Sequence, residues 1–181
     1  MKIADKEEKL LIVDENGKST GKLENRSFVH SNGFWHNEVA LWVLNKENNS
    51  VLFQRRSPNK RLLPNKLAIC AGHVVADETI KEALFKEVIE EYGINLENYD
   101  VKELAITKSS IPGNSCFTYI FYIIANIPIE NITIQEEEVA EVLYMDYDVF
   151  RKRLDANDEE FVFRNAGPEK VVFEKLDEIM K

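Results

Sequence analysis

Two cysteines, Cys70 and Cys116, are too few for a disulfide framework, and no Cys-x-x-Cys pair offers zinc-ligand spacing. Positive charge is also in short supply: 23 Lys and Arg against 32 Asp and Glu leave a formal net charge of −9. A nucleic-acid polymer needs a basic surface for its phosphates, so that partner is excluded; a small phosphorylated molecule needs only a local basic patch. No apolar run reaches the roughly 20 residues that cross a bilayer, and the opening MKIADKEEKLLIV is too charged for a secretory leader. The expectation is a reduced, cytoplasmic protein with no membrane partner. The 181 residues contain no repeat and no low-complexity linker, which suits one domain over 1–181.

Along the chain, Lys9 to Leu23 reads as a hairpin turned at DENG, with Gly17 free to take positive φ. RSFVHSNGFWHN is a connector, so 1–33 forms an N-terminal hairpin and its exit. EVALWVLNKENNSVLFQRR gives two strands around a polar turn at Asn45 to Ser50, and SPNKRLLPNK is a loop. KLAICAG is a short strand ending at Gly72. A helix runs from about Thr79 to Tyr92, capped by Asp77 or Thr79 and closed by Gly93. VKELAITKSS and SCFTYIFYIIANI are strands, the second apolar enough to be buried on both faces. EEEVAEVLYMDYDVF holds a strand and a helix start, and residues 168–181 form an amphipathic helix with Pro168 in its first turn. Together these predict an α+β fold with a mixed β-sheet.

The stretch GHVVADETIKEALFKEVIEEYGI, residues 72–94, carries Asp77, Glu78, Glu82, Glu87, Glu90 and Glu91. On a helix, Glu87, Glu90 and Glu91 share a face, while Ile80, Leu84 and Val88 make an apolar stripe. Like charges on neighbouring turns repel. Charge alone fits a solvated face with Glu82–Lys86 or Lys86–Glu90 pairs, or a hard divalent cation held by clustered oxygens.

The spacing of that stretch resembles the signature of the Nudix hydrolases: Gly, five residues, Glu, seven residues, Arg-Glu, two residues, Glu-Glu, one residue, Gly. Here it reads Gly72, Glu78, Lys86-Glu87, Glu90-Glu91, Gly93, with Lys86 where the family has Arg. The resemblance implies a Nudix-type α/β/α sandwich and hydrolysis of a diphosphate linkage in a nucleoside diphosphate joined to another group, or a related small molecule. It implies Mg²⁺ or Mn²⁺ held by Glu87, Glu90 and Glu91 with the carbonyl at or next to Gly72, and Glu78 as a support. A further carboxylate before the last strand, Glu137 or Glu138, joins them. Lys86 keeps the charge of the family's Arg but not its planar fork, which leaves a ligand sensor without turnover as one alternative. Homodimers occur in the family.

The three histidines, His30, His36 and His73, stand where a subgroup of the same fold, isopentenyl diphosphate isomerase, binds a divalent metal. They are therefore read as a second metal site, as ligand contacts, or as structural residues. Isomerase chemistry is disfavoured, because the reactive cysteine before Gly-His is replaced by Ala71, with Cys70 one residue off and facing the other way. The isomerase's Glu-x-Glu is also missing from IPGNSCFTYIF. Finally, QRRSPNKRLLPNK concentrates base in an acidic chain, and Arg55, Arg56 and Lys60 are candidates for substrate phosphate. Phe34 and Trp35 could stack on a planar group, whereas Trp42 belongs to the core.

Overall fold

The computed structural model describes residues 8–181. The first seven residues of the charged opening lie outside them. Strands β1 (Lys9–Val13) and β2 (Ser19–Asn25) form the antiparallel hairpin. Its turn is held by Asp14, whose side chain accepts from the amides of Asn16 and Lys18, and by Gly17 at φ 79°. The connector is more ordered than its sequence suggests. Residues Arg26–Ser31 form a short helix, α1, with no side-chain N-cap, which buries Val29 and His30.

The main sheet contains β3 (Trp35–Asn45), β4 (Ser50–Arg56), β5 (Leu67–Ala68), β6 (Cys70–His73), β7 (Lys102–Ile111), β8 (Asn114–Ile124) and β9 (Val139–Asp146). β3 runs parallel to β8, and the other pairs are antiparallel, so the sheet is mixed. β3 and β4 pair only at their shared turn, Leu44 with Val51 and Asn45 with Ser50. Beyond that they splay, and the segment from Leu67 to His73 fills the opening. β5 pairs with Gln54 and Arg55 of β4, and β6 pairs with Glu38 to Leu41 of β3. This wedge delivers Gly72 to the middle of the sheet.

Alternation along β3 sorts the two faces. Val39, Leu41 and Val43 pack with Leu84, Val88 and Tyr92 of α2 (Ile80–Tyr92). Ala40, Trp42 and Leu44 pack with α3 (Tyr147–Asp155) and α4 (Lys170–Met180), through Phe150, Leu154, Phe173 and Leu176. Helices therefore cover both faces, which is the expected α/β/α sandwich, and Trp42 lies in the core. α2 begins at a capping box: the Thr79 hydroxyl accepts from the Glu82 amide and the Glu82 carboxylate accepts from the Thr79 amide. Gly93 ends it in the left-handed conformation, φ 67°. β8 is less enclosed than its apolar sequence suggests: Cys116, Ile120 and Ile123 are buried, but Ile124 is half exposed, because the adjacent β7 is an edge strand that the helices cover only in part. No helix among the described residues is long and apolar enough to cross a membrane.

Candidate active site

The wedge strand and α2 meet at Gly72. A Cβ there would overlap the Glu87 carboxyl group, so the missing side chain is the space the carboxyl occupies. One turn further on, Glu91 is buried at 5% exposure, while Glu90 faces solvent. Gln54 of β4 donates to Glu91 Oε2 at 3.1 Å, and the Cys70 thiol also bonds this carboxyl.

Burial pushes the Glu91 pKa up to about 7, against the pull of its Cys70 and Gln54 hydrogen bonds. Burial and then the Glu91 charge push Glu87 up to about 8, with Lys86 pulling the other way. Two carboxyls at this depth without a matching cation are costly in their charged form. A divalent cation with oxygen preference is the group this donor set suits.

The expected neighbours sort into two groups. Glu138, ahead of β9, forms an ion pair with Lys60, and both charges reach Glu91. Arg56 is half-buried and feels Glu91 and Glu138; its guanidinium holds the carbonyls of Leu63 at 3.1 Å and Leu62 at 2.9 Å, drawing the 57–66 loop across. Arg55 is not gathered with them. It shares strand parity with Phe53 on the opposite face and is engaged by Glu141 at 2.6 Å and Glu160 at 2.9 Å. Glu137 is exposed.

Lys86 does not pair with Glu82 or Glu90. Its ammonium sits between the two oxygens of Glu78, at 2.9 and 3.2 Å, and Glu78 in turn accepts from the Val75 amide at 3.4 Å. A point charge thus reaches both oxygens, and Lys86 and Glu78 together brace the loop entering α2. Cys70 is buried on the α2 face, and Ala71 takes the opposite one. Trp35 packs on Phe117 at 5.4 Å beneath the Lys108 ammonium, and Phe34 pairs with Phe28 at 5.9 Å.

The three histidines do come together, with their ligand atoms all within 4.8 Å of one another. His30 and His73 approach through their Nε2 atoms at 3.0 Å, and the His36 and His73 rings stack at 5.2 Å. Burial, followed by the charges of His36 and Arg26, pulls His30 down to about 4; burial likewise holds His73 well below the usual imidazole value. Glu38 of β3 lies against them, and nothing in the spacing of the sequence singles it out. Burial would raise its pKa, but the His36 ring beside it, the charge of His73 and a hydrogen bond from Asn114 more than offset this and keep it below the usual carboxylate range.

The Nudix domain model matches residues 35–164. The chain is 31% identical over 158 residues to an uncharacterized Nudix hydrolase of Clostridium acetobutylicum, covering 82% of this chain and 75% of that protein. It is 30% identical over 165 residues to Nudix hydrolase 3 of Arabidopsis thaliana, which takes in 86% of this chain but only 21% of that longer protein. A solved structure from Deinococcus radiodurans superposes with a TM-score of 0.71 at 19% identity, over 92% of this chain and 98% of that one, a likeness of fold.

Proposed function

The chain belongs to the Nudix family, and from that membership we propose that it hydrolyses a phosphoanhydride bond in a small diphosphate-containing molecule, with Mg²⁺ or Mn²⁺ on the α2 carboxylates. The observation that carries this reading is the Glu87 carboxyl seated against Gly72 beside buried Glu91. Glu87, Glu90 and Glu91, with Glu138 and the Gly72 backbone, would hold the ion. When bound, the ion neutralises phosphate charge and activates water. The chain's own residues do the rest. Arg56 and Lys60 are the basic groups on this face and would hold the phosphate oxygens that the ion leaves open. A carboxylate of the α2 set takes a proton from the attacking water, which approaches phosphorus in line with the leaving group. Lys86 and Glu78 brace the loop that leads from β6 into α2.

Isomerisation of a prenyl diphosphate is the weaker reading, since Ala71 offers no thiol and Cys70 is committed to Glu91. The test is release of phosphate or nucleotide from a panel of diphosphates: nucleoside diphosphate sugars, dinucleoside polyphosphates, deoxynucleoside triphosphates, thiamine diphosphate and isopentenyl diphosphate. Turnover that requires Mg²⁺ or Mn²⁺ and is lost in Glu90→Gln is expected for at least one member. Ligand binding without any product would instead support a sensor, and isomer formation would support the isomerase.

Gly72→Ala tests the seat itself. The new methyl meets the far end of a flexible side chain, so Glu87 swings aside and the fold survives. Metal-dependent turnover is expected to fall about 10²-fold, the typical consequence of misplacing a reacting group by about an ångström. The melting temperature in chelator should barely move, and a large drop there would show that the glycine serves folding instead.

A further inference from the structure

Strand alternation turns Leu52, Gln54 and Arg56 of β4 toward α2. Leu52 packs into the apolar cluster under the helix, and Arg56 lies near the Glu91 and Glu138 charges. Gln54 stands between them, where an apolar side chain would extend the core. It is 2% exposed, and its backbone is paired on both sides, with Ala68 of β5 and Val142 of β9.

Gln54 poses the question. Its Nε2 donates to Glu91 Oε2 at 3.1 Å, while its Oε1 is buried with no hydrogen-bond partner. Such atoms call for an explanation, because a buried amide with an empty acceptor is destabilising beside an apolar chain of the same shape. Packing of the core is therefore a poor reason for this residue. The side-chain hydrogen bond that it does make runs from the sheet to a carboxyl on α2.

We propose that Gln54 is a positioning residue, which clamps the Glu91 carboxylate from the sheet side in the orientation that receives the divalent ion. The inference rests on the hydrolase reading for the ion itself. An ionised carboxylate can only accept hydrogen bonds, so the amide must turn its NH₂ toward Glu91, and the empty Oε1 is the consequence of that orientation. A neutral donor suits the task, since a lysine or arginine in its place would repel the ion. The carboxylate has about four lone-pair sites. Nε2 takes one, and the Cys70 thiol bonds the same carboxyl, which leaves sites for a metal bond. Fixing a long carboxylate in advance spares the ion the entropy of ordering it. Gln54 can do this because its own backbone is held between two neighbouring strands.

The test uses the full chain stripped with chelator. Mn²⁺ is titrated in, and the free ion is read by electron paramagnetic resonance. Gln54→Met keeps the length of the side chain and removes both polar atoms. Its Mn²⁺ affinity should fall about 10–100-fold, the usual effect of removing the partner of a metal ligand. In a Glu91→Gln background the same change should cause no further loss, because the amide acts through that carboxylate. On a substrate that the parent cleaves, kcat should fall with KM unchanged, since the amide acts on the ion's ligand and not on the substrate. Should Gln54→Met fail to fold, Gln54→Asn withdraws the same amide by one methylene and should lose the same affinity. Parent-like Mn²⁺ affinity in a folded variant, an equal loss in the Glu91→Gln background, or a raised KM with kcat intact would each overturn the proposal. The Mn²⁺ readout does not depend on hydrolysis. A chain that binds Mn²⁺ through Gln54 and Glu91 yet cleaves nothing would overturn the hydrolase reading and support this one.

Discussion

Glu91→Gln is expected to lower metal-dependent turnover by about 10²–10⁴-fold, the range for a carboxylate that handles an ion or a proton in the transition state, and at the same time to stabilise the metal-free protein at alkaline pH. The two effects have one origin. In the native state Glu87 and Glu91 have pKa values raised from 4.5 to about 8 and about 7, chiefly by burial. A group raised in this way adds stability that is fully present below its unfolded value and is lost as pH rises through its folded value. Between pH 6.5 and 8.5 the metal-free protein should therefore lose on the order of 2 kcal/mol. His30 and His73 are depressed, so their contribution is present above the ordinary imidazole value and falls away below it; it opposes the loss only at the lower edge of this window. Glutamine at 91 still accepts from Gln54 and carries no charge, so it removes its own share and relieves Glu87. In chelator the variant should melt a few degrees above the parent at pH 8.5 and show a shallower slope with pH. Saturating Mg²⁺ should reverse the order. Equal slopes for the two proteins would sink this account of the site.

Phe150→Ala should have the largest effect on stability, about 3–5 kcal/mol. Phe150 is fully buried where α3 meets the sheet. Its ring lies 4.9 Å from Phe53, 5.3 Å from Phe161, 5.8 Å from Trp42 and 6.0 Å from Phe173. Aromatic pairs of this kind add to the area they bury, and the surrounding rings, borne on separate elements, cannot close the void. For a chain of this size the loss amounts to roughly 6–20 °C in melting temperature. All of this lies on the face opposite α2. Turnover per folded molecule at low temperature should stay within about threefold of the parent, since sites on separate faces act almost independently. A loss of activity matching the loss of stability would show that the two faces are coupled.

The helix of the site was legible because its residues are close in sequence: the capping box at Thr79, the apolar stripe, the paired glutamates and the closing glycine all sit within one short stretch. Features that depend on distant pairing were not. Arg55 and Arg56 read alike as neighbours in a basic stretch, yet strand alternation sends them to different faces, and the pairing register of β4 decides which face each takes. α1 was missed because a short helix without a side-chain cap leaves little local signal; docking against β1 and β2, not propensity, holds Arg26–Ser31 in shape. Glu38 was missed for a similar reason. A single carboxylate in an apolar strand has no spacing to betray it, and its role appears only when β6, β8 and α1 converge on it. A joint site of the three histidines was one of the readings the resemblance offered, and they do lie together; that His36 Nε2 is left without a hydrogen-bond partner is a property of the fold alone.

The parallel pairing of β3 with β8 also governs how the molecule comes to be folded. Trp35 to Leu44 lie beside Ser115 to Ile124, each residue matched to one 80 positions later. Closing a loop of that length is entropically unfavourable before any contact offsets it, and topologies dominated by such distant pairs fold slowly. Local pieces, the β1–β2 hairpin, α2 and the β7–β8 hairpin, can form first. The central pair must wait for chain diffusion. Asn114, Cys116 and Thr118, which hold Glu38, arrive only with β8. The polar partners of Glu38, the carboxylate beside the histidines, thus come with the same pairing that unites the two halves of the sheet.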